Sequence, residues 1–159
     1  MAERGERFVD ELTRRIDDLT QLIETLGDEQ WRRACAGEGW PVGFVAYHIS
    51  LGLERQANWI ERRASGGPLA SFDWEGTHAL NAALLRRHGL PSKELTAAAL
   101  RRRAARMGRI ARSLTDQQLD GMTVRIGEHE RSAEWILRRV ALAHIDDHTR
   151  SIRAAIDQP

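Results

Sequence analysis

Residues 133–156, AEWILRRVALAHIDDHTRSIRAAI, are the stretch that decides the fold. Apolar residues recur along it every three or four positions, which is the period of a helix with one buried face. Ser132 comes directly before the stretch and predicts its N-terminal cap. Two histidines lie one helical turn apart on the same apolar stripe. The stripe consists of Ile136, Leu137, Val140, Ala141, His144, His148, Ile152 and Ala155.

Three further segments have the helical period. The stripe of the first is Phe8, Leu12, Ile16, Leu19, Ile23 and Leu26. The stripe of the second, which opens at Pro41, is Val45, Ile49, Leu53, Ala57 and Ile60. The stripe of the third, which opens at Ser92 and runs to about residue 114, is Leu95, Ala99, Met107, Ile110 and Leu114. Four such helices predict an all-α fold, a four-helix bundle forming a single domain over residues 1–159.

The segments between the long helices are shorter and less regular. The glycines, proline and serines at 64–75 predict a break, and Asp73 predicts the cap of a short extra helix over residues 74–87. Residues 28–40 contain Gly37 and Gly39 and are expected to form a connection. Met122–Ile126 fits a short extended piece.

The composition excludes several classes of function. A net charge of +1, from 24 basic and 23 acidic residues, gives no general attraction to nucleic acid. No apolar run is long enough to span a membrane, and the charged N-terminus lacks an export signal. A single cysteine, Cys35, excludes an internal disulfide. We therefore expect a cytoplasmic protein with neither nucleic-acid nor membrane partners.

The sequence contains one cluster of basic residues. Its members are Arg101, Arg102, Arg103, Arg106, Arg109 and Arg112. Such a cluster can bind phosphate or a carboxylate. The alternative, which we favour, is a solvated helix face balanced by acids on neighbouring helices.

The two histidines of the last helix raise the question of a metal. Two imidazoles on an apolar stripe are costly to bury unless each finds a partner, and one divalent ion satisfies both. His48 is the best candidate for a third ligand because it also lies among apolar residues, in the middle of the second helix. The other histidines lie in or beside the short connecting helix or in a charged loop: His78, His88 and His129. Spacing alone leaves open whether these are metal ligands or core histidines satisfied by carbonyl or carboxylate groups.

The sequence resembles the DinB-like superfamily, which also contains the fold of mycothiol-dependent maleylpyruvate isomerase. GEGWPVGFVAYHIS resembles the family's Trp-and-His segment that opens the second helix, and HIDDHTRSI resembles its final H-x-x-x-H. THALNAALLRRHGLPSKELTAAALRRR is similar to the helices between them, and LGDEQW and LTDQQL to its repeated helix endings. The resemblance covers nearly the whole chain in the expected order.

That resemblance implies an up-down-down-up bundle, with the short extra helix in the long crossover. It implies that His48, His144 and His148 bind one divalent ion. Three imidazoles suit zinc, nickel or iron. It also implies a small-molecule substrate, a low-molecular-weight thiol as a second ligand, and a homodimer.

Other site residues are suggested by their nearness to these motifs. The candidates for the substrate pocket are Tyr47, Arg55, Trp59 and Asn81. Each of them could instead have an ordinary role in packing or at the surface. Asp147, beside His148, is a candidate to orient an imidazole or to act as a ligand or base.

By resemblance, we expect a metal-dependent transferase that joins a thiol such as mycothiol or bacillithiol to a small electrophile. Three protein ligands leave coordination positions open, so a metal-bound water or thiol could serve as the nucleophile. The alternatives are a metal-hydroxide hydrolase, and a non-catalytic bundle that binds metal or sequesters a small molecule.

Overall fold

Four long helices, joined by short helices and a small sheet, make up the fold in the computed structural model, which describes residues 3–159. In chain order the elements are α1 (Glu3–Thr25), α2 (Asp28–Arg32), α3 (Val42–Ala64), β1 (Ala70–Phe72), α4 (Trp74–His88), α5 (Lys93–Ser113), α6 (Asp116–Asp120), β2 (Met122–Ile126), β3 (His129–Ser132), α7 (Ala133–Trp135), a π-helical segment (Ile136–Leu142) and α8 (Ala143–Ile156). The predicted four-helix bundle is confirmed, with α7, the π-helical segment and α8 together forming its fourth helix.

The predicted apolar stripes form the core. Every predicted stripe residue of α1 and of α3 is at most 4% exposed. The stripe of α5 is wrong at one position, because Leu95 lies in the first turn and is 52% exposed. Burying such stripes against one another is the main stabilising contribution in a bundle of this kind.

Helices α1 and α5 run antiparallel. Lys93, at the start of α5, donates to the carbonyl oxygen of Leu26, just beyond the end of α1, at 2.6 Å. At the other end, Arg112 pairs with Glu6 at 3.0 Å. The last helix is parallel to α1, since Arg4 pairs with Glu134 and Arg15 pairs with Asp146 further along both helices.

Helices α3 and α5 run parallel. Arg103 donates to Ser50 Oγ at 2.7 Å, and Arg106, one turn later, donates to Asn58 Oδ1 at 2.8 Å. With α1 up, the order is therefore up for α1, down for α3 and α5, and up for the last helix. The predicted up-down-down-up topology, with α4 in the long crossover, is confirmed.

The arginine cluster on α5 is a balanced helix face. Four of its six members pair with acids on α1 or α3: Arg101 with Glu24, Arg103 with Glu54, Arg106 with Glu61, and Arg112 with Glu6. Neighbouring helices thus neutralise most of the patch.

A three-stranded sheet, in the order β1–β2–β3, covers one side of the bundle. β1 pairs in parallel with β2, and β2 pairs antiparallel with β3. The hairpin turns at Gly127, whose φ of 60° suits glycine at the first central position of a two-residue turn. The extended piece predicted at Met122–Ile126 is confirmed as β2, whereas β1 and β3 were not predicted.

Two local features depart from the expected helices. The connection at 28–40 contains the short helix α2, and the final stretch is not one regular α-helix. Its π-helical segment ends two residues before His144. Segments of this kind are common beside functional sites, because the wider turn shifts the side chains that follow it. Among the described residues, no helix is long and apolar enough to cross a membrane.

Candidate metal centre

Three histidines from two helices meet at one point between α3 and α8. One ring nitrogen each of His48, His144 and His148 lies within 4.8 Å of the others. His48 Nε2 and His144 Nε2 are 2.9 Å apart. The stripe positions bring His144 and His148 to the same face of α8, and the antiparallel packing of α3 places His48 opposite them.

A carboxylate from the connection before α3 fixes the orientation of the third ring. His148 Nδ1 donates to Glu38 Oε1 at 2.7 Å, and Ser151 Oγ donates to Glu38 Oε2 at 2.6 Å. Burial alone would raise the pKa of Glu38, but the two hydrogen bonds outweigh burial and lower it. In the neutral ring, a proton held on Nδ1 leaves Nε2 of His148 free to bind a cation.

Burial keeps the other two imidazoles neutral. It lowers the pKa of His48 to about 3, and the neighbouring charge of His148 adds to the shift. The pKa of His144 is lowered well below its usual value for the same two reasons. Neutral imidazole is the form that binds metal, so these rings need not lose a proton near pH 7.

Gly52, one turn after His48, makes room for His144. A Cβ at this position would lie 2.7 Å from His144 Cε1 and 3.0 Å from His144 Nδ1. Any larger residue would therefore push the ring out of place.

The residues present fit a divalent cation. A tetrahedral zinc held by nitrogens at about 2.0–2.1 Å separates its ligand atoms by about 3.3 Å. That value lies between the 2.9 Å of the His48–His144 pair and the 4.8 Å within which all three ligand atoms lie. His48 Nδ1 is buried and has no hydrogen-bond partner within residues 3–159, and His48 Nε2 meets only the ring nitrogen of His144, so no carbonyl or carboxylate group satisfies this ring. The set of three imidazoles suits zinc, nickel and iron alike.

A cavity of about 480 Å³ opens beside the three histidines. Its walls come from α3, α4, β1, β2, the last helix and the connection before α3, and they include five large aromatic side chains. The aromatic wall residues are Trp40, Trp59, Phe72, Trp74 and Trp135. A cavity of this size and character suits a small organic molecule.

Three of the four residues predicted for the substrate pocket line this cavity: Arg55, Trp59 and Asn81. Tyr47 is not among the lining residues. The guanidinium carbon of Arg103 lies over its ring, 5.6 Å from the centroid.

Asp147, predicted to support the histidines, lines the cavity but forms no hydrogen bond or ion pair with any of the three. Its carboxylate pairs with Arg150 at 3.1 Å, and both side chains are exposed. Glu38 holds an imidazole instead. The sequence offered only a weak signal for Glu38, an acid between two glycines just before the helix that carries His48.

Comparisons with known proteins agree with this fold. A sequence model of the DinB superfamily matches residues 11–152. YfiT from Bacillus subtilis, described as a probable metal-dependent hydrolase with an unusual four-helix bundle topology, superposes with a TM-score of 0.67 at 18% identity, covering 96% of this chain and 90% of YfiT. An uncharacterised protein from Clostridium difficile 630 superposes with a TM-score of 0.75 at 13% identity, covering 97% and 96% of the two chains. A search of curated proteins found no match.

Proposed function

The chain belongs to the DinB superfamily, and on that premise we propose that it is a divalent-metal-dependent transferase that joins a low-molecular-weight thiol to a small electrophile. The observation that carries the proposal is the convergence of His48, His144 and His148 beside a cavity with aromatic walls. Zinc, nickel or iron held there would act as a Lewis acid and favour the deprotonated form of a thiol at neutral pH.

The chain's own residues define what the site can do. His48 and His144 are kept neutral by burial, and Glu38 holds the proton of His148 on the nitrogen that faces away from the cluster. The aromatic side chains give the cavity an apolar face against which an organic substrate would lie.

The nucleophile must come from outside the chain. Cys35, the one cysteine in the sequence, is fully buried. Burial, with a further contribution from the charge of Glu38, raises the pKa of its thiol to about 11. A buried thiol of this kind is unreactive, so an exogenous thiol is the donor that the proposal requires.

Turnover of a fluorogenic electrophile tests the proposal. Zinc-loaded protein is mixed with monochlorobimane and with mycothiol or bacillithiol. A sulfur–carbon bond forms, the carbon–chlorine bond breaks, chloride leaves with the electron pair, and the thiol proton passes to solvent. We expect turnover that His144→Ala abolishes and that His129→Ala, in the exposed hairpin, leaves unchanged.

A hydrolase is the second candidate, favoured by the description of YfiT as a probable metal-dependent hydrolase. In that case the nucleophile is water, and ester or amide substrates are cleaved without any thiol. Hydrolysis without a thiol, together with no thiol transfer, would replace the first proposal by this one. Metal binding without any turnover would favour a non-catalytic bundle.

We also propose a homodimer, following the superfamily resemblance. The exposed apolar side chains that could contribute to an interface are Trp74, Leu80, Leu95 and Met122. Light scattering on a sizing column tests it. A mass near 36 kDa, twice the 18.0 kDa chain, is expected, and a mass near 18.0 kDa would contradict it.

A further inference from the structure

Arg55 is a half-buried cation in the cavity wall without an acidic partner. It lies on α3, two turns after His48 and therefore on the same helix face. It has no hydrogen bond or ion pair within residues 3–159. The adjacent acid, Glu54, pairs with Arg103 at 2.6 Å and is not available to it.

The environment of Arg55 shows that its charge is poorly compensated. Burial lowers the pKa of Arg55 below its usual value, as expected for a cation that loses water and gains no anion. Burial is also the main cause of the low pKa of His48 and His144, and the charge of Arg55 contributes to both shifts. The guanidinium lines the same cavity as the three histidines.

A planar guanidinium is best satisfied by a planar oxyanion. Its fixed fork of N–H groups matches the two oxygens of a carboxylate. The acids that line the cavity are already paired, Glu38 with His148 and Asp147 with Arg150. A ligand can supply the anion that the cavity wall lacks.

The walls around Arg55 select the rest of that ligand. The ring of Phe72 packs edge-on against Trp59, with centroids 5.3 Å apart, and against Trp74, with centroids 4.7 Å apart. These three rings form a continuous apolar face across α3, β1 and the start of α4. An aromatic or unsaturated body buries well against such a face.

A second unpaired polar group lies in the same wall. Asn81 on α4 is completely buried, and neither its Oδ1 nor its Nδ2 has a partner within residues 3–159. An unpaired buried amide destabilises the fold, because it has lost its hydrogen bonds to water without gaining others. A polar atom on a ligand can remove that cost.

We propose that the cavity binds a small organic carboxylate, whose carboxyl group pairs with Arg55 and whose apolar body lies against the wall of Trp59, Phe72 and Trp74. A polar substituent of the ligand pairs with Asn81. This ligand is the electrophile of the proposed reaction, and in that respect the inference rests on the proposed function. The carboxylate binding itself does not require catalysis.

Calorimetry with matched ligands tests the inference. Benzoate, phenylacetate and cinnamate are each compared with their neutral amides, using protein with and without zinc. For the best carboxylate we expect affinity roughly tenfold or more above that of its amide. Arg55→Gln should remove that advantage and leave binding of the amide unchanged.

The matched control is Arg62→Gln, an exposed arginine two turns further along α3, which should bind as the wild type does. If Arg55→Gln does not fold, Arg55→Lys keeps the charge without the fork and should lower carboxylate affinity several-fold.

Several results would overturn the inference: undiminished carboxylate affinity in the Arg55 variant, equal binding of acid and amide, or no binding of any of these carboxylates at millimolar concentration. Tighter binding of inorganic phosphate than of any carboxylate would also overturn it, by assigning Arg55 to a tetrahedral anion.

The arm without zinc separates this inference from the proposed function. Carboxylate binding through Arg55 in protein that neither binds zinc nor turns over a thiol would support the inference while the proposed function fails. Thiol turnover that does not depend on Arg55 would give the reverse result.

Discussion

Glu38 Oε1 accepts a hydrogen bond from His148 Nδ1 at 2.7 Å, although the two residues lie 110 positions apart in the chain. The contact fixes which ring nitrogen carries the proton and which faces the cluster. A carboxylate behind a metal-binding histidine typically raises its basicity and holds its orientation.

Glu38→Ala should therefore weaken zinc binding by about 10–100-fold without removing any of the three imidazoles. The control is Asp147→Ala, an acid adjacent to His148 in sequence that pairs with Arg150 at the surface. Competition with a fluorescent zinc chelator measures both affinities. Weaker binding in the Asp147 variant alone would show that the role of Glu38 is misassigned.

Gly52→Ala should displace His144, because the added Cβ would lie 2.7 Å from His144 Cε1. Overpacking of this kind costs about 1–3 kcal/mol, so zinc affinity should fall by about 5- to 150-fold. Gly108→Ala is the matched control, since its Cβ would make ordinary contact with Val9 at 3.6 Å. It should leave zinc affinity unchanged and stabilise α5 by about 0.5–1 kcal/mol. Equal zinc affinities in the two variants would show that a Cβ at position 52 does not displace His144.

Glu38 and the three histidines show how much of the site the sequence could predict. The helical period placed His48, His144 and His148 on interior stripes, because the spacing of side chains along a helix is set locally. Glu38 lies outside any periodic segment, and its partner is chosen by how α8 packs against the connection at 28–40. No local sequence pattern predicts that packing. The supporting acid was therefore predicted to be Asp147, which is adjacent to His148 in the sequence.

The fold also has parts that the sequence predicts and parts that it does not. The long helices and the caps at Asp73, Ser92 and Ser132 follow from local rules, and each of these side chains accepts a hydrogen bond from a backbone N–H of the first turn. The three-residue strand β1 is held by its pairing with β2, across more than fifty intervening residues. Such a strand has too little sequence to carry a pattern of its own.

The metal-free protein should lose stability as the pH falls from 6.5 to 5. The pKa of His48 is about 3 in the folded protein and near 6.5 when unfolded, so the unfolded chain binds more protons between these values. The free energy of unfolding should then rise with pH by up to about 1.4 kcal/mol per pH unit for this group, and His144 acts in the same direction.

Urea unfolding of chelator-treated protein across that range measures the slope. His48→Gln should reduce it, because one of the two buried imidazoles is gone. A wild-type stability that does not change between pH 6.5 and 5 would show that the rings are protonated or exposed in the folded protein.

Cys35 should be inert. Its complete burial and a pKa of about 11 predict that a thiol reagent modifies it only when the protein unfolds. Cys35→Ala should keep both zinc binding and any thiol-dependent turnover. Rapid labelling in the folded state, or loss of turnover in the variant, would point to an internal nucleophile.

Zinc titration by calorimetry tests the central claim most directly. Chelator-treated wild-type protein should bind one Zn²⁺ per chain, and His144→Ala should lower the affinity by about a hundredfold or more. His78→Ala is the matched control, because His78 lines the same cavity outside the three-histidine cluster and should have no effect. A wild-type chain that binds no ion, or a His144 variant that binds as tightly as the wild type, would contradict the account.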